Sequence, residues 1–155
     1  MKRLRSKPIA PHKRNAVAAV EMAVSLPLLV LLLLGTIDLG QFMNVGQVVS
    51  NASRIGARKA SVHRTKDISE VKAEVLNYLG YYFPNQSAST LSGATTVKVA
   101  LENGTTLSGT DLTYVEDGVR VVVSVQFNYS AVRWIKGIPQ LDSRALNVDT
   151  TIRRL

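Results

Sequence analysis

The hydrophobic pattern of the chain changes twice, and its first part predicts a membrane helix. Residues 16–37 form an apolar run of 22 residues that contains one charge, Glu21. At about 1.5 Å of rise per residue, a helix of this length spans roughly 30 Å, the thickness of a bilayer core. The run therefore predicts a transmembrane helix over residues 17–37, with a local kink at Pro27.

After Asp38 the apolar positions recur every three or four residues, which is the spacing of one helix face. These positions are Phe42, Val45, Val49, Ala52 and Ile55. The opposite face carries Gln41, Asn44, Gln47, Asn51, Arg54 and Arg58. The helix is therefore expected to continue over residues 38–62 as an amphipathic extension.

A second helical pattern follows over residues 65–83. Its apolar stripe consists of Ile68, Val71, Val75, Tyr78 and Leu79. Thr65, Asp67 or Ser69 is expected to cap its start, and its end is expected near Gly80, before Pro84. The polar residues 85–94 predict a loop.

The period then becomes two, which predicts β-strands. Residues 95–101, 111–116 and 119–130 alternate in this way, and residues 146–154 suggest a fourth strand. Asn103-Gly104 and Asp117-Gly118 predict tight turns. The predicted fold class is α+β: a long N-terminal helix, a second helix, and a small antiparallel meander of three to four strands. Residues 63–155 would form a domain outside the cytoplasm.

The charge of the chain is concentrated at its start. The 155 residues include 19 basic and 11 acidic ones, for a net charge of +8. Six basic residues precede position 15, namely Lys2, Arg3, Arg5, Lys7, Lys13 and Arg14. Positive charges before an apolar run hold that end in the cytoplasm, so residues 1–16 are interpreted as a basic cytoplasmic leader. The same placement favours membrane contact and predicts no direct binding of nucleic acid.

The sequence predicts no catalytic or metal chemistry. Cysteine is absent, which excludes disulfides, thiolate metal sites and cysteine nucleophiles. His12 and His63 lie in different segments without an obvious third ligand, and no catalytic or phosphate-binding motif occurs. We therefore expect a non-catalytic protein without a cofactor.

Glu21 is the residue of the apolar run that we expect to have a functional role. An unpaired carboxylate deep in a membrane helix costs about 2–3 kcal/mol, and such residues usually have a partner. The alternative is a glutamate whose side chain reaches back to the membrane interface.

The order of motifs around Glu21 resembles the TadE-like family, the pseudopilins of tight adherence (Flp) pili, whose N-terminal segments are similar to those of type IV pilins. Lys13-Arg14-Asn15-Ala16 precedes Val17-Ala18-Ala19-Val20-Glu21-Met22, and then Leu26-Pro27-Leu28-Leu29. Later positions of the motif are Gly35, Asp38 and Gly40, followed by Asn51, Arg54, Gly56 and Arg58. The resemblance covers about residues 13–60.

The resemblance implies that a prepilin peptidase removes the leader between Ala16 and Val17. Glu21 would then be the fifth residue of the mature chain, where it would pair with the new amino group of a neighbouring subunit. Two positions depart from the family pattern. Ala16 stands where the family usually has glycine, and Met22 stands where it has Phe or Tyr.

The predicted function is that of a minor pilin or pseudopilin in the assembly of a Tad-type pilus, a bacterial adhesion structure. The resemblance implies a single-pass protein of the bacterial inner membrane. Its partners would be other pilin subunits, the prepilin peptidase, the inner-membrane assembly platform and membrane lipid. The alternative is an uncleaved, signal-anchored envelope protein with a binding domain outside the cytoplasm. An envelope enzyme would need a catalytic cluster that the sequence does not reveal.

Overall fold

The computed structural model describes residues 12–134 and 144–155, with side chains from Val17 onward. A long helix, α1, runs from His12 to Ser61 and contains Pro27. The chain divides into two compact units, one ending at Ile37 and the other comprising Asp38–Leu155. Most of the predicted leader and the side chain of Ala16 lie outside the described residues.

The first unit exposes its apolar side chains. From Val17 to Ile37 every described side chain is exposed. Among the described residues, α1 is the one helix that is long and apolar enough to cross a membrane. Since exposed leucine and valine side chains are unfavourable in water, this composition indicates single-pass membrane anchoring.

The second unit begins with the amphipathic part of α1, which agrees with the predicted helical spacing. Val45, Val49 and Ala52 are buried as expected, whereas Phe42 and Ile55 are half-buried. The buried stripe is wider than predicted, because it also includes small residues: Ser53, Gly56, Ala57 and Ala60. These small side chains let neighbouring elements approach α1 closely.

Helix α2 spans Ile68–Tyr82, close to the predicted range. Of the three candidate caps, Asp67 is the one observed, and its carboxylate accepts from the Ser69 amide at 2.8 Å. Val71, Val75 and Leu79 are fully buried. The predicted apolar stripe therefore faces the core.

The loop prediction for residues 85–94 is wrong, because a short helix, α3, spans Ala88–Ala94. Ser87 caps it by accepting from the Thr90 amide at 3.2 Å. Leu91 is buried and anchors the helix to the core. A single capping serine and a single apolar residue are too little pattern to indicate a helix from sequence.

The sheet has four antiparallel strands: β1 (Thr95–Leu101), β2 (Thr106–Leu107), β3 (Arg120–Asn128) and β4 (Ala145–Arg153). Their spatial order is β2-β1-β3-β4. The α+β prediction is thus confirmed, but the meander is wrong, because β1 lies between β2 and β3. Gly104 and Gly118 have φ of 87° and 88° in the two predicted turns, a conformation that favours glycine.

The strand predicted over residues 111–116 is also wrong. Asp111–Tyr114 forms a turn of 3₁₀ helix instead. The Asp111 carboxylate accepts from the Ser108 amide at 2.8 Å, and Leu112 is fully buried. A side chain that binds nearby backbone competes with strand pairing, and this explains the local preference for a turn.

The core of the second unit lies between one face of the sheet and helices α1 and α2. Val121, Val123, Val125 and Phe127 of β3 are buried, as the alternation predicted. The Phe127 ring stacks on that of Phe83 at a centroid distance of 5.9 Å. The sheet is thereby covered on the face that the sequence marked as apolar.

Candidate functional site

Glu21 is exposed on α1 among exposed apolar side chains, including Val20 and Met22. Within the residues that the structure describes, no hydrogen bond or ion pair reaches its carboxylate. Val17 is exposed on the same helix, and Ala16 is also part of this helix. Any partner of the Glu21 charge must therefore come from water, lipid, the undescribed residues or another molecule.

Asp38 is the second carboxylate of the motif, and it is buried in an ion pair. Arg133 Nε lies 3.0 Å from Asp38 Oδ1, and Arg133 Nη2 lies 2.9 Å from Asp38 Oδ2. The Arg133 side chain is fully buried and that of Asp38 nearly so. This two-pronged geometry satisfies both carboxylate oxygens, as burial of the charge requires.

Tyr129 and Gln41 complete the group, which we call the Asp38 clamp (Asp38, Gln41, Tyr129 and Arg133). The Tyr129 hydroxyl lies 3.2 Å from Asp38 Oδ1 and 3.3 Å from Gln41 Oε1. Gln41 Nε2 donates to the Val132 carbonyl at 3.0 Å. The clamp therefore fastens the segment after β3 to the first turn of α1 beyond the apolar run.

The clamp shifts the pKa values of two of its members. The hydrogen bonds from Arg133 lower the pKa of Asp38, although burial opposes them. Burial raises the pKa of Tyr129 to about 12, and the neighbouring Asp38 charge adds to the shift. At neutral pH the carboxylate is therefore charged and the phenol keeps its proton. A buried pair of this kind holds structure and offers no accessible nucleophile.

The later motif residues separate into different roles. A Cβ on Gly56 would lie 2.7 Å from Val75 Cγ2, so glycine is needed for the close contact of α1 with α2. Asn51 interacts with the Tyr78 side chain. Arg54 and Arg58 are exposed on α1. Gly40 has open space around it, so packing does not explain its identity.

Arg154 forms a second tie to α1, at the end opposite the Asp38 clamp. Its side chain is buried, and Nη1 donates to the Ala60 carbonyl at 3.0 Å. Nη2 donates to the Thr65 carbonyl at 3.1 Å. A cation next to the free carbonyls of a helix C-terminus interacts favourably with the helix dipole.

The sequence does not identify either of the two arginines that make these ties. Arg133 is separated from Asp38 by 95 positions, and Arg154 from Ala60 by 94. The available signal was an aspartate directly after a membrane run, which needs a partner when buried. The pattern does not indicate which of the chain's arginines supplies it.

The described residues contain no group of three or more His, Asp or Glu side chains that could hold a metal ion. His63 Nδ1 lies 3.1 Å from Asp117 Oδ1, and both side chains are exposed. In the basic run near the end of α1, Lys59 pairs with Glu70 at 3.4 Å. Both are contacts between exposed side chains and are of small energetic value.

Residues 16–58 match the model of the family described as TadE-like protein. The match includes Glu21, Asp38 and the later motif residues, so the resemblance inferred from the motifs is confirmed over this segment. Neither the curated proteins nor the solved structures provide a significant match to the chain.

Proposed function

We propose that this protein is a non-catalytic minor pilin or pseudopilin that takes part in assembling a Tad-type pilus. The observation that carries the proposal is the family match over residues 16–58, which coincides with an exposed apolar helix. A pilus subunit needs a helix that is stored in lipid before assembly, and α1 has the required length and composition.

The topology follows from the charge distribution. Six basic residues precede the apolar run, so the N-terminus is cytoplasmic and residues 63–155 lie outside the cytoplasm. Residues 17–37 form the membrane span, and residues 38–62 form its amphipathic extension. The protein is a single-pass component of the bacterial inner membrane, and it enters the pilus or primes its assembly there.

The processing step is a cut between Ala16 and Val17 by a prepilin peptidase. The cut removes the basic leader and leaves a new positive amino group at Val17, four residues before Glu21. The Glu21 carboxylate of one subunit pairs with this amino group on its neighbour, which offsets the cost of both charges in lipid.

The other partners follow from the same proposal. They are further pilin subunits, the prepilin peptidase, the inner-membrane assembly platform and membrane lipid. The alternative function is that of an uncleaved, signal-anchored envelope protein whose outer domain binds another molecule. The two differ in whether the leader is removed.

N-terminal sequencing of the protein from the membrane fraction tests the proposal. A mature chain that begins at Val17 is expected, with the apolar segment retained. A chain that begins at Met1 favours the uncleaved anchor, and one that begins beyond Gly35 indicates an ordinary secretory signal.

The variant Ala16→Gly restores the residue usual in the family and is expected to increase the processed fraction. Ala19→Gly, which lies within the retained helix, is the matched control.

A further inference from the structure

Strand β4 is an open edge of the sheet. The strand order β2-β1-β3-β4 places it at one side, and no other strand in the described part of the chain pairs with its outer edge. It is nine residues long, whereas the strand at the opposite edge, β2, has two residues. An edge strand presents a row of N–H and C=O groups that can pair with another chain.

β4 lacks the features by which sheets usually block such pairing. Its sequence, ALNVDTTIR, contains no proline, glycine or lysine, and its register with β3 continues without a bulge from Ala145 to Arg153. The Thr150 hydroxyl lies 2.8 Å from the Ser53 hydroxyl of α1, so contact with the helix helps to hold the strand in place. The edge is therefore regular, fixed and unprotected.

The backbone hydrogen bonds show which residues face the open edge. The Arg154 amide donates to the Val119 carbonyl at 2.9 Å, and the Arg144 carbonyl accepts from the Tyr129 amide at 3.2 Å. In an antiparallel pair, alternate residues bond to the neighbouring strand, and the residues between them direct their N–H and C=O groups away from it. The even-numbered residues of β4 therefore bond to β3. The odd-numbered residues face the edge, namely Ala145, Asn147, Asp149, Thr151 and Arg153.

Two of these edge-facing residues carry opposite charges, Asp149 and Arg153, and both are exposed. Among the described residues, no ion pair reaches either of them. Arg153 Nε donates to the Gly118 carbonyl at 2.9 Å, and the residue opposite Arg153 on β3 is Arg120. Because like charges directly opposite each other are unfavourable, a carboxylate is the favoured neighbour of Arg153 on its open side.

The charge pattern of β4 is complementary to itself about Thr151. When two copies of the strand lie antiparallel with Thr151 opposite Thr151, Asp149 of each copy lies opposite Arg153 of the other. All three positions face the edge, so their backbone groups meet and form hydrogen bonds between the copies. A pairing centred on Asp149 would instead oppose two carboxylates. The Leu155 amide donates to the Ser61 carbonyl at 2.9 Å, so the pairing ends before Leu155.

We propose that two copies of this chain pair through their β4 edges over residues 149–153, with Thr151 at the twofold axis. The backbone hydrogen bonds join the two four-stranded sheets into one, and the two Asp149–Arg153 pairs select the register. The inference uses the unit Asp38–Leu155 alone. It goes beyond the proposed function and depends neither on the membrane anchor nor on the pilus.

Because the chain has no cysteine, single cysteines can locate the contact. The full chain carrying Thr151→Cys is oxidised in detergent solution, and disulfide-linked dimer is measured on a non-reducing gel. Opposite residues of a hydrogen-bonded pair have Cα atoms about 5.5 Å apart, which a disulfide spans. We expect efficient formation of the linked dimer.

Ala145→Cys is the matched control, because Ala145 is exposed on the same face of the same strand. In the proposed register the two copies of this position are roughly 40 Å apart at about 3.3 Å per residue. Little linked dimer is therefore expected. Equal crosslinking of Thr151→Cys and Ala145→Cys would indicate random collision in the micelle and would overturn the inference.

Charge reversal in the Thr151→Cys background tests the register. Asp149→Arg and Arg153→Asp should each lose the linked dimer, because each places like charges opposite each other. An equal mixture of these two variants should recover it, as should the double variant Asp149→Arg/Arg153→Asp. Circular dichroism verifies that each variant is folded. Folded single variants that crosslink as before, or a mixture that recovers nothing, would overturn the pairing.

Discussion

At the scale of single residues, the fate of the two acidic motif positions shows what a sequence can and cannot reveal. Glu21 was recognised because a carboxylate inside an apolar run is costly wherever its partner lies. Asp38 was recognised only as part of a motif. Its burial depends on Arg133, which lies 95 positions away, and no local pattern connects the two. The sequence therefore predicts that such residues matter, but it does not predict how each charge is satisfied.

We expect Arg133→Met to lower the free energy of unfolding by about 3–5 kcal/mol, because it leaves the Asp38 carboxylate buried without its cation. Asp38→Leu should also destabilise the fold, because it removes the carboxylate that binds the buried guanidinium. The double variant Asp38→Leu/Arg133→Met should cost clearly less than the sum of the two. Denaturant unfolding of the full chain in detergent measures all three.

Arg120→Met is the matched control for that comparison. Arg120 pairs with Glu102 at 2.9 Å on the exposed surface. Loss of an exposed pair usually changes stability by no more than about 0.5 kcal/mol. Equal effects of Arg133→Met and Arg120→Met, or strictly additive effects at the clamp, would contradict the role assigned to the buried pair.

The clamp should also give the protein a defined acid sensitivity. The pKa of Asp38 lies below its ordinary value of 3.8 in the folded protein. Its contribution to stability is therefore fully present above that ordinary value and is lost as the pH falls through the lower, folded-state pKa. The stability difference between wild type and Asp38→Asn should be constant from pH 8 to pH 5 and should shrink below about pH 4. A difference that changes between pH 6 and pH 8 would assign the effect to another group.

At the scale of elements, prediction succeeded where periodicity was long and failed where it was short. The extension of α1, helix α2 and strand β3 each repeat their pattern several times, and each was placed within a few residues. Helix α3 contributes a single buried leucine, and the turn at Asp111–Tyr114 is decided by one carboxylate. The sheet order was mispredicted because tight turns suggest that each strand pairs with the next one in sequence. In the structure, β1 pairs with both β2 and β3, so β2 and β3 are not neighbours.

The contact between α1 and α2 gives a test of element packing. Gly56→Ala would place a Cβ 2.7 Å from Val75 Cγ2, and both positions are inside a packed core. Overpacking of this kind typically costs about 1–3 kcal/mol, so the midpoint of thermal unfolding should fall. The second change Val75→Ala should relieve part of the clash.

Gly80→Ala provides the control within α2. Nothing lies within 4 Å of a Cβ at this position, and alanine is favoured over glycine inside a helix by about 0.5–1 kcal/mol. Gly80→Ala should leave stability unchanged or raise it. A Gly56→Ala variant as stable as Gly80→Ala would show that the helices separate without cost.

At the scale of the whole molecule, function was inferred from the first third of the chain and fold from the rest. The family match ends at residue 58, so it says nothing about the sheet. The α+β class was predictable because the hydrophobic period changes from helical to alternating near residue 95. What ties the second unit together, namely the Asp38 clamp and Arg154, was not predictable because both contacts join distant segments.

Pilus assembly should depend on the charge of Glu21. Glu21→Gln and Glu21→Ala are expected to reduce sheared pili to background while leaving the protein in the membrane fraction. Glu21→Asp, which keeps the charge, should retain partial assembly. Glu74→Gln is the control, because Glu74 is an exposed acid of α2 outside the membrane run. Normal pili from Glu21→Ala would refute the pairing of Glu21 with a neighbouring subunit.

The position of Arg154 also has a consequence for biosynthesis. The Ala60 carbonyl in the last turn of α1 accepts a hydrogen bond from Arg154, which lies 94 positions downstream. The Ser61 carbonyl accepts from the Leu155 amide at 2.9 Å. During translation, the apolar face of α1 therefore emerges long before the strands and the arginine that cover it. Contacts between distant positions form slowly and leave such surfaces open to aggregation and proteolysis. The nascent chain should need a chaperone in this interval, and a ribosome stalled before β4 should yield a protease-sensitive domain.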